Sequence, residues 1–203
     1  MPESKAVHVE VRDLTPSLWP ALERLFGHNG ASCGCWCMFW RLQAAERFAS
    51  LRGPPLKRRL KARVGQGRVY GALAFVDGEP VGWVTYGPRT EFPRLERSSS
   101  LACDDAALVW SVPCFFIKPG FRKQGVASRL LFHALVRMEE AGARLAEGYP
   151  VQARGDGRPS PPASSYTGTV AMFARAGFAV AAKSAHAKVR MRRALVPAPP
   201  TSM

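Results

Sequence analysis

The sequence predicts an α/β protein, and three stretches carry that expectation. VYGALAFVDGEPVGWVTYG, beginning at Val69, holds two runs rich in β-branched and aromatic residues joined around Asp77 and Gly78, which is the pattern of an antiparallel hairpin. VWSVPCFFI at 109–117 reads as a buried strand that leads through a loop with Pro119 and Gly120 into an amphipathic helix. VHVEVRDL at 7–14 alternates as a strand does, and Thr15 with Pro16 opens a helix over SLWPALERLF.

Between these anchors the remaining elements follow in order. Residues 27–55 mix Gly, Cys, Trp and Pro without a period. LKRRLKARV at 56–64 places Leu56, Leu60 and Val64 on one face of a short basic helix, whose Lys and Arg face is read as solvated. Residues 93–105 are irregular. Pro113 cannot donate a ladder hydrogen bond, so the strand over 109–117 should bulge or bend there. The helix after it is expected from about Gln124 to Ala141, with Val126, Leu130, Ala134 and Met138 recurring every four residues and Gly142 as its stop. A short strand in ARLAEGYPV, a Pro, Ser and Gly loop over 153–165, a helix near 167–176 and two closing strands complete the chain.

Composition narrows the classes. At 203 residues the chain falls within the size of one domain, expected over 1–196 with a flexible tail at 197–203. Hydrophobic residues make up 47%, which excludes disorder for the bulk of it. The formal charge of +14 favours polyanionic partners such as nucleic acid, anionic lipid or a phosphorylated cofactor. No apolar run reaches a membrane span and the first residues lack a signal-peptide core, so a cytoplasmic protein without a membrane partner is expected. Five cysteines, three of them at 33, 35 and 37, do not form a disulfide pattern, and reduced thiols are the default.

The stretch FFIKPGFRKQGVASRLL at 115–131 carries the chemistry. Strand, small-residue loop and helix make an anion site, because free N–H groups at a helix N-terminus and the helix dipole behind them favour phosphate. Gly125 and Ala127 keep side chains out of the way, and Arg122 and Lys123 add positive charge. A GTPase-type phosphate loop would need Lys-Ser or Lys-Thr where Val126 and Ala127 stand. A dinucleotide fingerprint belongs near the first strand of a parallel sheet, whereas this strand lies past the middle of the chain.

The same stretch resembles the acyl-coenzyme-A-binding motif of the GNAT superfamily of N-acetyltransferases: an apolar strand, a proline, then Arg or Gln, two residues, Gly, one residue, Gly or Ala. Arg122, Gly125 and Ala127 fit in order, with Pro119 before them. AMFARAGFAV at 171–180 is similar to the family's short helix ending in Gly-Phe, and the order of elements agrees over roughly residues 5–194. The resemblance implies the GNAT-type fold, a mixed, mostly antiparallel central sheet flanked by helices. It implies acetyl-CoA as co-substrate and transfer of acetyl to a primary amine, on a small molecule or a peptide, by direct attack. Arg122, Lys123, Gln124, Gly125, Val126, Ala127 and Ser128 would cradle the pyrophosphate. Phe115, Phe116 and Ile117 would offer backbone groups to the pantetheine arm, which lies along the strand like an added one.

Many members carry a tyrosine four residues before the Gly-Phe glycine, and here that position is Phe173. The general acid is therefore sought elsewhere. Glu147 and Tyr149, two apart and so on one face, are expected near the reacting carbonyl, Glu147 as a base or an ordinary carboxylate and Tyr149 as an acid or a pocket wall. Tyr166, before the short helix, can reach the same cleft as an acid, with a solvent-exposed loop residue as the alternative. His28 is a weaker choice as base, and His133 is read as a core or boundary residue. If extended, Cys33, Cys35 and Cys37 would stand about 6.6 Å apart, too far for thiolates on one zinc, which lie roughly 3.8 Å apart, and no metal is expected. Trp36, Phe39 and Trp40 would shape a partly apolar acceptor pocket, with plain core packing as the alternative. Two other classes compete: a non-catalytic acyl-CoA sensor, suggested by Phe173, and a nucleic-acid-binding module, disfavoured because no recognition motif accompanies the charge. The acceptor and the oligomeric state are left open.

Overall fold

The computed structural model describes residues 8–151, 165–182 and 188–196. Its first four strands, β1 (Glu10–Asp13), β2 (Tyr70–Val76), β3 (Glu79–Pro88) and β4 (Trp110–Ile117), pair antiparallel in sequence order. The β2–β3 hairpin turns at Asp77 and Gly78, both at positive φ, as a two-residue hairpin loop requires. β5 (Leu145–Gly148) then lies parallel to β4, and β6 (Ala179–Ala182) and β7 (Arg190–Ala194) finish the sheet in the order β1-β2-β3-β4-β5-β7-β6. Among the strands of the described residues a single parallel pair sits at the centre of an otherwise antiparallel sheet, because the helix between β4 and β5 carries the chain back over one face.

Helices cover both faces. α1 (Trp19–Phe26), α2 (Phe48–Leu51) and α3 (Pro54–Gly65) lie on one side, where Leu22, Leu56, Leu60, Trp83, Cys114 and Tyr149 join one buried cluster. α4 (Val126–Glu140) and α5 (Val170–Arg175) lie on the other, where Val84, Val112, Phe115, Leu130, Leu131 and Phe173 are buried together. The predicted stripe of α4 is the one it buries: Val126, Leu130, Leu131, Ala134, Leu135 and Met138.

Three boundaries differ from the sequence reading for physical reasons. α4 starts at Val126 rather than Gln124, because Gly125 takes a left-handed φ of 80° and the Gln124 side chain donates to the Gly120 carbonyl at 2.6 Å. The segment before α2 is wound into turns by positive φ at Ala31, Cys33, Trp36 and Cys37, which explains why no period was legible there. α5 is shorter than expected, a six-residue helix capped by the Thr169 side chain and preceded by a 3-10 turn at Ser165–Thr167. The loop expected over 153–165 lies, but for Ser165, outside the described residues, as do the tail at 197–203 and His186. Among the described residues no helix is long and apolar enough to cross a membrane.

Pro113 deforms β4 as its missing N–H demands. Thr85 faces Cys114 and Gly87 faces Ser111, so Val112 and Pro113 together oppose Tyr86 in a bulge. The pairing of β4 with β5 stops at the same place, at Val112 and Gly148, while β4 runs on to Ile117 beside β3 alone. The sheet therefore opens into a cleft between β4 and β5.

Candidate active site

The wide end of that cleft meets the start of α4. The Arg129 N–H donates to the Gly125 carbonyl at 3.1 Å to begin the helix, which leaves the N–H groups of Val126, Ala127 and Ser128 without helical acceptors. Among the described residues no side chain caps them, and no acidic residue occupies the first turn. A Cβ built on Gly125 meets nothing within 4 Å, so the space before these donors is open. Arg122, Lys123, Gln124, Gly125 and Ser128 are exposed around it, with Arg122 Nε donating to the Ile117 carbonyl at 3.2 Å. Val126 offers this space its N–H alone, since its side chain packs in the core beside Gly82.

Along β4 the backbone alternates. The Lys118 N–H donates to the Val81 carbonyl at 2.9 Å, so every second residue back along the ladder is bonded to β3. That parity commits Phe116 to Trp83 and turns the polar backbone groups of Phe115 and Ile117 toward the cleft. The expectation for Phe116 is corrected accordingly: its N–H and C=O belong to the sheet.

Where β4 and β5 close together, Glu147 and Tyr149 do meet, with the phenol donating to the Glu147 carboxylate at 2.8 Å. Neither is exposed, and both are bound into a network the sequence did not reveal. Arg89, 1% exposed, donates to Glu147, to the Tyr149 hydroxyl at 2.5 Å, to Glu96 at 2.5 Å and to the Leu101 carbonyl at 2.5 Å. Arg192 takes the other Glu147 oxygen at 2.6 Å and grips Asp105 with two bonds of 2.7 Å. Ser111 completes the shell at 2.6 Å from the Tyr149 oxygen. Both Glu147 oxygens are occupied, one by Arg89 and the Tyr149 phenol and the other by Arg192, and the side chain has no exposure to the cleft, which argues against a base role. Burial first, and then the Glu147 charge, push the Tyr149 phenol well above its ordinary value. Both residues join the floor of the sheet rather than line the cleft.

A second cluster gathers on the α1 side of β4. Burial and the neighbouring Cys114 and Cys35 raise Tyr166 to about 12, so it holds its proton at neutral pH. The Lys188 ammonium lies 4.5 Å from the Tyr166 ring centre and 5.4 Å from that of Trp40, and donates to Thr167 at 3.3 Å. Arg94 stacks 4.1 Å from the Phe39 ring centre, and Phe39 packs edge-on against Trp40 at 5.2 Å. Phe39 and Trp40 thus stand beside this cluster, but Trp36 does not. It is 3% exposed and packs on Trp19 at 6.0 Å and Phe26 at 5.5 Å, which makes it a core residue.

The three clustered cysteines part company. Cys33 is exposed, while Cys37 is buried with its sulfur 3.5 Å from that of Cys114 and 3.1 Å from the Trp83 indole nitrogen. His133 bonds Asp13 at 2.7 Å at the edge of α4, and His28 is exposed in the loop after α1.

Burial pulls Lys188 down to about 8. Between that value and the ordinary lysine value near 10.4 the unfolded chain holds the extra proton, so stability is expected to rise with pH across this window. Melting temperatures measured from pH 7.5 to 10 should show that slope in the parent and a flatter one in Lys188→Met; equal slopes would refute it.

A search of curated protein sequences returns no match. A model of the acetyltransferase (GNAT) family matches residues 36–149, more than half of the chain. The chain belongs to the GNAT acetyltransferase family. Solved structures agree on the fold. The Thermoplasma acidophilum PaiA N-acetyltransferase, determined in complex with coenzyme A, is 14% identical, with a TM-score of 0.54 over 92% of this chain and 99% of that one. The GNAT domain of S. lividans PAT is 18% identical, with a TM-score of 0.55 over 92% and 90%. An N-acetyltransferase from Staphylococcus aureus is 12% identical, with a TM-score of 0.53 over 93% and 98%.

Acetyl-CoA is the acyl donor of GNAT acetyltransferases. The uncapped N-terminus of α4 suits its phosphates chemically, because three free N–H groups and two exposed cations face open space without a carboxylate in the first turn. Phe173, at the GNAT tyrosine position, is fully buried and packs on Phe115 and Phe178 at 6.2 and 4.9 Å between ring centres. Its ring also lies against Gly148, where a Cβ would come within 2.1 Å of it, so β5 needs glycine at that point. Arg89 and Lys188 were missed from the sequence. Each is an ordinary cation in a chain rich in them, and only three-dimensional burial sets them apart.

Proposed function

We propose that residues 1–196 act as one N-acetyltransferase domain that moves an acetyl group from acetyl-CoA to a primary amine by direct attack, in the cleft between β4 and β5. One observation carries this reading: the open N-terminus of α4 and the free edge of β4 lie end to end and lead to the Pro113 bulge. The N–H groups of Val126, Ala127 and Ser128, with Arg122 and Lys123, bind the pyrophosphate. Phe115 and Ile117 hold the pantetheine arm through their backbone groups. The thioester supplies an activated acetyl group, which these contacts bring to the Cys114 end of the strand. The acceptor enters from the α1 side, past Phe39 and Trp40. Five unpaired cysteines support a cytoplasmic setting for the reaction.

Tyr166 is the proton donor in this reading. It stands on the α1 side of β4 with its proton retained, whereas Tyr149 is bound in the floor. A thiol of ordinary pKa near 8.5 leaves tolerably at neutral pH, so the phenol accelerates departure rather than permits it. Tyr166→Phe should therefore lower turnover about tenfold with acetyl-CoA affinity unchanged, and Phe173→Tyr should not be needed for activity. Single-turnover transfer measures both, and a Tyr166→Phe rate equal to the parent's would remove Tyr166 as acid. An amine-library screen reporting released coenzyme A thiol tests the reading as a whole.

Phe173 favours a second reading, a sensor that binds acyl-CoA without transfer. Acetyl-CoA binding without thiol release by any amine, reversed only in Phe173→Tyr, would select it.

A further inference from the structure

We propose that the acceptor side of the cleft is an oxyanion-binding site formed by Lys188, Arg94 and the indole N–H of Trp40, so that the amine substrate carries a carboxylate or phosphate group. This rests on the reading of the chain as an amine acetyltransferase and names the class of its acceptor.

Cations elsewhere in this fold that lose water gain a carboxylate. Arg89 has Glu147 and Glu96, Arg41 has Glu91, and Arg192 has Glu147 and Asp105. Lys188 and Arg94 are different: among the described residues neither has a carboxylate within 4.0 Å. Lys188 is held against two aromatic rings with the Thr167 hydroxyl as its polar contact. Arg94 lies on Phe39, and its Nη1 is buried without an acceptor among the described residues. Trp40 is 7% exposed, and its Nε1 is also buried without an acceptor. The Arg94 N–H donates to the Trp40 carbonyl at 3.2 Å, which ties these two residues together.

Two desolvated cations and two orphaned donors around one aromatic wall leave an unmet demand for an anion, since such groups are costly to bury without one. Burial lowers both cations from their ordinary values, with the neighbouring Arg97 charge adding to the effect at Arg94, which is in keeping with cations that lack a carboxylate partner. The phosphates of coenzyme A do not meet that demand. Their site is at the Ile117 end of β4, and Cys114 lies about 10 Å back along the strand. The acetyl group is uncharged. The remaining participant is the acceptor, and the oxyanion it carries is what this wall would hold while its amine faces the thioester.

The test uses the full chain and matched pairs of amines: amino acids and dipeptides against their carboxamides, and phosphoethanolamine against ethanolamine. Oxyanion-bearing amines should show kcat/KM at least tenfold above their neutral partners, and the two arms separate carboxylate from phosphate. Lys188→Met and Arg94→Met should raise KM and collapse the preference, while acetyl-CoA affinity stays at the parent value. Neutral amines that match their acids, or a preference that survives both substitutions, would overturn the proposal. Absence of thiol release with any amine would instead count against the transfer reading. In that event calorimetry on the coenzyme-A-loaded protein decides: N-acetylglycine should bind at least tenfold more tightly than N-acetylglycinamide and lose that margin in Lys188→Met. Equal or no binding of the pair would refute the oxyanion site.

Discussion

Gly125→Asp should weaken acetyl-CoA binding on the order of 100-fold, because a charge placed at about 5 Å from a pyrophosphate at a protein surface costs roughly 3 kcal/mol. The position leaves the fold less affected. Gly125 has φ 80° and open space where its Cβ would be, so the substitution brings backbone strain of about 1–2 kcal/mol but no collision. Gly125→Asn separates the two effects, since asparagine tolerates the same φ and matches the shape without the charge. Calorimetric titration should place the Asn variant between the parent and the Asp variant. If Asp and Asn bind acetyl-CoA equally, repulsion at the start of α4 is not the cause; if Asp binds as the parent does, residues 122–128 are not the phosphate site.

Arg89→Met should be the most destabilising single substitution in the cleft floor. It takes one of two hydrogen-bonded guanidinium partners from Glu147 in a region with no exposure, and breaking one side of a buried ion pair costs about 3 kcal/mol even with Arg192 still in place. For a chain of this size that corresponds to a fall in melting temperature of about 10 °C. Arg89→Met combined with Glu147→Leu should recover part of the loss, because the buried carboxylate that lost a partner is removed with it while Arg192 keeps Asp105. Scanning calorimetry of the three proteins makes the comparison. A single variant within two degrees of the parent, or a double variant that melts below the single one, would show that the network does not hold the floor together.

The arrangement of strands was legible because its signals are local. Asp77-Gly78, the Pro113 interruption and the four-residue repeat from Val126 to Met138 each act within a few residues, and each corresponds to an observed element. The family motif at 122–127 was readable for the same reason. The floor of the cleft was not, since Arg89 and Glu147 are 58 residues apart and nothing near either one in sequence marks it for burial. Tyr149 was therefore read as a wall or an acid when its hydroxyl is an internal fastening. Trp36 misled in the opposite direction: positive φ on both sides of Gly34 folds the cysteine-rich stretch back on α1, which no periodicity could announce. Phe39 and Trp40, three and four residues further on, lie instead beside Arg94 and Lys188.

The one-sided pairing of β4 also divides its amide protons into two classes that native-state hydrogen exchange can resolve. Phe116 is locked to β3, so its amide exchanges only when the β3–β4 pairing itself opens. Phe115 and Ile117 present theirs to the cleft, where no carbonyl of β5 reaches them. In the proposed binding mode a pantetheine arm laid along that edge would act as an eighth strand, shielding Phe115 and Ile117 and leaving Phe116 as it was. Between β4 and β5 the sheet thus keeps an open cleft beyond Val112 and Gly148. Filling it couples the stiffness of the β1–β4 half to that of β5–β7, which otherwise share a ladder of three residue pairs.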